Sequence, residues 1–377
     1  MHDVIIIGGG VIGLSTAFQL AGAGYSCAVV DQGALGQESS WAGAGMLPPG
    51  NLHGARTPEA KLRAASHELW PDLSATLREL TGIDNGFRRC GGLEVRLDGP
   101  GDELDQEIDG WTAEQVAVRK LSGTDLSERE PAISQRVTAA YYLPEMGQVR
   151  NPRHLKALIS GCGQRGVTLL PGVNVWELAR QGGRLAAVAT SQGRMTAGMF
   201  VVAGGAWSGQ LLSQVGYRIP LRPMRGQIVL LSTGPRVVRH VINLGARYLV
   251  PREDGRVLVG ATQEVAGFDK RTTAAGAGGL LEFALRLVPE LSQATVERTW
   301  AGLRPQSADG LPYLGAVPDV DGLIVAAGHF RAGLQLSPIT ANLITDLIQG
   351  KPSRLPLEAY SVCRHTEETA FTVNGDD

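Results

Sequence analysis

Runs of apolar residues along this chain switch between two periods, and the switches mark its elements. Residues 4–7 form a short unbroken apolar run, the pattern of a strand buried on both faces. The run breaks at Gly8-Gly9-Gly10, and Leu14, Ala17, Phe18 and Ala21 follow at the spacing of one helix face. A second buried run, residues 27–30, ends in Asp31. Helical periodicity returns over residues 61–80 and 150–165, the latter followed by a short strand at 167–170. Residues 87–97 read as strand, and 104–119 as a mixed, mostly surface stretch. Polar turns at Gln181-Gly182-Gly183 and Gln192-Gly193 predict a meander. Residues 199–203 are apolar and closed by Gly204, and residues 323–327 repeat that pattern before Gly328. Between them, residues 226–231, 247–251 and 256–260 alternate as strands. Asp254-Gly255 joins the last two as a hairpin. A helix over 280–287 is closed by Pro289, and another from about Leu336 to Ile348 is stopped by Gly350 and Pro352.

Parallel-type strands thus lie early, in the middle and late, with antiparallel-type strands between them. That interleaving predicts two discontinuous domains rather than two successive halves. A length of 377 residues also fits two domains. Glycine is abundant, 50 residues against the usual ~7%, but it clusters in turns rather than in a low-complexity tract. The net charge of −2 gives nucleic acid or an anionic membrane no basic surface to bind. Cys27, Cys90, Cys162 and Cys363 are widely spaced, which argues against a zinc site or a redox pair. No metal is expected. The N-terminal apolar run is too short for a signal peptide, and no stretch approaches the ~18 residues of a membrane helix. The cytoplasm is the expected address.

The chemistry is concentrated at the first turn. Gly8, Gly10 and Gly13 fit the dinucleotide fingerprint G-x-G-x-x-G between a strand and a helix, with Asp31 at the end of the next strand. The first glycine permits the turn, the second lets backbone N–H groups approach a pyrophosphate, and the third lets helix and strand pack closely. Asp31 is placed to accept from a ribose hydroxyl. Downstream, the small residues of segment 39–46 can lie close to a flat ligand.

Segments 4–13, 39–46, 201–208, 248–262, 300–315 and 326–341 together resemble the FAD-dependent D-amino acid oxidase family. Within it they are most similar to the glycine oxidases of the thiamine pathway. Trp-Ala-Gly-Leu-Arg-Pro at 300–305, Asp309-Gly310, and Ala-Ala-Gly-His-Phe-Arg at 326–331 are the most specific matches. The resemblance implies an α/β FAD-binding Rossmann-type domain of the glutathione-reductase-like kind. An α+β substrate domain built on a large antiparallel sheet would be interleaved with it. Residues 1–86, 146–215 and 308–365 would form the FAD domain, 87–145 and 216–307 the substrate domain, and 366–377 a flexible tail.

Carried over by position, Val11 and Ile12 fall on the phosphate turn, Asp31 and Gln32 near the adenosine ribose, and Val173 at adenine. Ser39 and Ser40 would hydrogen-bond the cofactor, and Ala44, Gly45 and Met46 would lie against the flavin. Gly204 and Trp207 also match cofactor positions. His329, Phe330, Arg331, Ala332, Gly333, Leu334 and Gln335 would wrap the flavin's pyrimidine edge. Arg304 and Arg331 match the arginines that hold the substrate carboxylate, and Tyr248 the active-site tyrosine, with Met46 bordering the substrate. A guanidinium suits that task because its planar donors fit a carboxylate two at a time. His329 follows a buried strand and is not expected to act as a base. The helix from Leu336 would aim its positive end at the flavin.

Two departures stand out. Ala246 occupies a position where some glycine oxidases carry histidine, which opens the question of pocket size. No cysteine stands near 300–310, so FAD is expected to be held non-covalently.

The reaction implied is oxidative deamination of glycine or another small amino acid, with molecular oxygen as acceptor and hydrogen peroxide as product. The alternatives are oxidation of a D-amino acid, sarcosine or an N-substituted glycine, or a dehydrogenase that passes electrons to a quinone or a partner subunit. A non-catalytic flavin subunit and an NAD-dependent dehydrogenase are the rivals from other classes. Homo-oligomers are common among similar oxidases, by analogy alone.

Overall fold

The computed structural model describes residues 2–98 and 103–365; the expected tail at 366–377 lies outside the described residues. A six-stranded sheet is the backbone of the cofactor side. Its order is Tyr313–Ala316, Leu323–Ala327, Ala197–Val202, His2–Ile7, Cys27–Asp31, Thr168–Pro171. All neighbours are parallel except the first pair. Its central strands are largely apolar because both faces are covered. Val4, Ile6 and Val29 pack beneath the helices Val11–Gly22, Pro58–Thr81, Asn151–Gln164 and Gly333–Gln349. Ile5, Ile7 and Val30 pack against the predicted meander, a three-stranded sheet of Val175–Gln181, Arg184–Thr190 and Gly193–Met195. Each such side chain, fully buried, contributes about 1.5–3 kcal/mol.

The long helix Pro58–Thr81 starts and stops as its sequence requires. The Thr57 hydroxyl accepts from Ala60 N at 3.1 Å, and Gly82 closes the helix at φ 70°. In Gly333–Gln349, Pro338 lacks the N–H that the Leu334 carbonyl would otherwise receive. Ser337 Oγ donates to that carbonyl instead, at 2.9 Å.

The second sheet has eight strands, ordered Thr295–Ser307, Leu221–Ser232, Arg256–Gly260, Arg247–Pro251, Val241–Leu244, Gly92–Leu97, Val137–Leu143, Arg119–Lys120. It is antiparallel apart from one parallel pairing, Val241–Leu244 with Gly92–Leu97. The hairpin through Asp254-Gly255 forms as expected. One strand is absent from the sequence reading, and one expectation needs correction. Thr295–Ser307 is a 13-residue strand that hydrophobic alternation does not reveal, because as the sheet's edge its first half is exposed. The stretch read as mixed surface contains the helix Glu103–Ala113, whose Leu104, Ile108 and Trp111 are buried.

One face of this sheet packs on the helix Ala274–Leu287 through Val229, Leu249 and Val259. The other face presents Ile228, Tyr248 and Trp300, and it closes over a cavity shared with the first sheet.

Candidate functional site

The cavity has a volume of about 1520 Å³ and runs from the glycine turn to the face of the eight-stranded sheet. At the turn, Gly8 adopts φ 115°, and a Cβ there would fall 2.3 Å from Ala203 O. Only glycine fits. Helix Val11–Gly22 begins at Gly10 with no side-chain cap, so its N-terminal N–H groups open towards the cavity. Val11 N is already committed, donating to Ser40 Oγ at 2.9 Å, which leaves the Ser40 hydroxyl proton to donate elsewhere. Asp31 accepts from Gly9 N at 2.7 Å and Gly33 N at 2.8 Å, and it lines the cavity with acceptor capacity to spare.

Gly13 does not itself line the cavity. A Cβ on it would lie 1.9 Å from Gly8 O, so its role is to let helix and strand meet. Ser39 lines the cavity, yet it donates its hydroxyl proton to Leu303 O at 2.7 Å and can offer a ligand only lone pairs. Val173 N donates to Asp31 O at 2.8 Å, leaving its carbonyl for a ligand.

The other expected positions, Gln32, Ala44, Gly45, Met46, Gly204, Trp207 and residues 329–335, all line the cavity. Ala246 does not. It is exposed in the turn between Leu244 and Arg247. Among the described residues no cysteine lines the cavity, and no group of three metal-ligating side chains forms.

His329 is buried and shares a 3.0 Å hydrogen bond with the Thr340 hydroxyl. Burial pushes its pKa down to about 3, so it stays neutral near neutral pH and is a weak base. Burial does the same to His154. Both histidines bind protons more tightly when unfolded. Their contribution to stability is therefore full above about pH 6.5 and is lost as pH falls towards 3. Thermal melts should show Tm dropping below pH 6.5, and replacing Thr340 and His329 together by Val and Gln should flatten that slope.

The structure brings Arg304, Tyr248 and Arg331 together at the sheet end of the cavity. Arg304 Nη1 donates to Thr262 O at 3.0 Å, and its guanidinium lies near enough to the Tyr248 phenol and to Arg331 to interact electrostatically with both. Burial lowers the Arg304 pKa, with Arg331 adding to the effect and Tyr248 opposing it. Burial raises that of Tyr248, so the phenol remains protonated at neutral pH. Phe330, beside Arg331, takes φ 48°, which is unusual for a bulky residue, and its N–H is tied to Pro305 O at 2.9 Å. That tie fixes the 329–331 loop to the strand that carries Arg304.

Several residues absent from the sequence reading shape the site. Asn151 holds Ser40 O at 2.8 Å through Nδ2, while its buried Oδ1 has no protein partner although the residue lines the cavity. Buried Arg252 donates to Ala44 O at 2.7 Å, Val149 O at 3.2 Å and Gln148 Oε1 at 2.5 Å, fixing the 44–46 segment. Gly226 forms the platform for Arg304, since a Cβ there would come within 2.4 Å of Cζ and both Nη atoms. Gly226→Ala should displace the guanidinium while leaving FAD bound. The expected result is a fall in kcat/KM of about 10- to 100-fold, read by steady-state kinetics.

Two uncapped helix N-termini, Val11–Gly22 and Gly333–Gln349, open on this cavity with an orphaned amide oxygen between small residues. Such surroundings suit a dinucleotide with a flat ring system. The family described as "FAD dependent oxidoreductase" matches residues 3–347, and the chain belongs to this D-amino acid oxidase family. It is therefore an FAD-dependent oxidoreductase. Glycine oxidase of Pseudomonas putida is 38% identical over 92% of this chain and 94% of its own. The hydrogen cyanide synthase subunit HcnC of Pseudomonas aeruginosa is 34% identical, over 98% of this chain and 97% of its own. The crystal structure of glycine oxidase from Geobacillus kaustophilus superposes with a TM-score of 0.91. It is 34% identical and covers 97% of this chain and 99% of that one. Among the described residues no helix is long and apolar enough to cross a membrane.

Proposed function

We propose that this enzyme oxidatively deaminates glycine, with water and oxygen consumed and glyoxylate, ammonia and hydrogen peroxide formed. One observation carries the reading: Arg304, Arg331 and the protonated Tyr248 phenol converge at the amino-acid end of a cavity built for FAD. When bound, FAD supplies the two-electron acceptor for hydride leaving the α-carbon. The protein's work is orientation. Arg304 takes the substrate carboxylate with paired donors, and Arg331 adds a second positive charge that keeps the carboxylate ionised. Thr262 O and Gly226 fix the guanidinium plane from behind. The Tyr248 hydroxyl can donate to the same carboxylate, as burial keeps its proton in place. No protein base is needed, because the α-hydrogen departs with its electrons and neutral His329 lies off the path. Trp300, whose Nε1 donates to Ala42 O at 2.9 Å, and Met46 shield the site from water.

A screen of glycine, sarcosine and D-alanine with peroxide and dye reduction read in parallel tests the assignment. Glycine should give the highest kcat/KM with stoichiometric peroxide. Dye reduction without oxygen uptake would place the enzyme with the dehydrogenases instead.

A further inference from the structure

The strand Leu221–Ser232 serves Arg304 from both of its faces. Gly226 and Ile228 line the cavity, whereas Val229 packs on the opposite side, so alternation turns Arg225 and Gln227 away from the cavity. On that reverse face four donors close on one carboxylate, Glu264, which does not itself line the cavity. Gln227 Nε2 donates to Glu264 Oε1 at 2.7 Å, and the Thr262 hydroxyl donates to the same oxygen. Arg225 holds Oε2 through Nε at 3.1 Å and through Nη2. None of these donors can reverse. Gln227 Oε1 already accepts from Thr273 N at 2.8 Å, which fixes its amide. Thr262 Oγ1 accepts from Gln227 N at 2.9 Å, so its proton is left for Glu264. A guanidinium has no acceptor at all. Only an ionised carboxylate meets all four donors. Burial pushes the Glu264 pKa up, but hydrogen bonds from Thr262, Arg225 and Gln227 outweigh that and hold it below the ordinary carboxylate range.

We propose that Glu264 is a positioning residue for Arg304, acting through Thr262. Thr262 is the link because its hydroxyl faces Glu264 while its carbonyl accepts from Arg304 Nη1 at 3.0 Å. With the hydroxyl held, the carbonyl keeps one place, and the guanidinium keeps one plane against Gly226. Glutamine at position 264 would keep the size but offer one oxygen to two opposed sets of donors. That oxygen goes to the charged Arg225. The NH2 group is then set against the Gln227 amide N–H, and the Thr262 proton loses its acceptor. Segment 262–264 has to shift, and the acceptor for Arg304 shifts with it. The role rests on the function proposed above, in which Arg304 takes the substrate carboxylate.

The test is Glu264→Gln on the FAD-loaded enzyme, made both in the wild type and in the Arg304→Ala background. In the wild type, kcat/KM for glycine should fall about 10-fold and the glycolate Kd, read from the flavin spectrum, should rise by about the same factor. The FAD Kd should not change. Thr262→Val keeps the carbonyl and removes the hydroxyl, and it should act in the same direction. In Arg304→Ala no fork remains to be aimed. Adding Glu264→Gln there should alter the anaerobic rate of flavin reduction by glycine by less than about twofold. A residue that only supported the fold would cost the same factor in both backgrounds. An unaltered glycolate Kd in Glu264→Gln, or equal losses with and without Arg304, would overturn the positioning role. Loss of FAD from both single variants would also overturn it, by marking a role in the fold alone. Wild-type flavin that glycine does not reduce would instead remove the underlying function.

Discussion

Arg304→Ala is expected to lose about 10³- to 10⁴-fold in kcat/KM for glycine and still purify as a yellow protein. Both halves of that result follow from its surroundings. The guanidinium is the positioned fork at the sheet end of the cavity, braced by Thr262 O and the Gly226 surface. Without it, the substrate carboxylate keeps Arg331 but loses paired donors, and the α-carbon is no longer fixed in one place. Loss of orientation together with a charge-assisted pair amounts to about 4–5.5 kcal/mol of barrier, at 1.36 kcal/mol per tenfold. FAD should stay because the partners of Arg304 are Thr262 and Tyr248, remote from the glycine turn. Arg304→Lys should be intermediate, since an ammonium supplies charge without the fork. Steady-state kinetics together with the flavin absorbance of the purified variants checks the whole series.

Gly13→Ala should weaken FAD binding markedly. The added Cβ would lie 1.9 Å from Gly8 O and 3.1 Å from Ile6 Cγ2. Neither neighbour can yield. Gly8 is held at φ 115° with its N–H on Val30 O at 2.8 Å, and Ile6 is wholly buried. The helix Val11–Gly22 must therefore lift off the strand, carrying its open N-terminus away from the phosphates. Overpacking of this kind costs about 1–3 kcal/mol, roughly a 10- to 100-fold rise in the FAD Kd. Gly163→Ala is the control. It sits exposed in the helix Asn151–Gln164, and a Cβ there meets nothing within 4 Å. It should keep FAD and gain a few tenths of a kcal/mol or more in stability. Fluorescence titration of the apoproteins with FAD reads both.

The parts of the fold that were legible in the sequence are those whose burial is total. The strands at 27–31 and 323–327 are apolar on both faces, so composition alone marks them. The Asp254-Gly255 turn has its own local chemistry, and the hairpin follows from it. Thr295–Ser307 was not legible. An edge strand with an exposed first half carries no alternation, and its pairing with Leu221–Ser232 is a long-range fact. The helix Glu103–Ala113 did leave a trace, in Leu104, Ile108 and Trp111 at helical spacing, but the polar residues between them masked it. At the site, motif residues were legible because glycine geometry and guanidinium forks have local signatures. Asn151, Gly226 and Arg252 carry none. They matter through neighbours distant in the chain: Ser40, Arg304 and Ala44.

The most direct measurement is a structure of the FAD-loaded enzyme with glycolate, a carboxylate of glycine's size that lacks the amine. The account predicts both carboxylate oxygens within hydrogen-bond distance of the Arg304 guanidinium, with the Tyr248 hydroxyl beside them. Glycolate bound elsewhere, with Arg304 turned to bulk water, would contradict it.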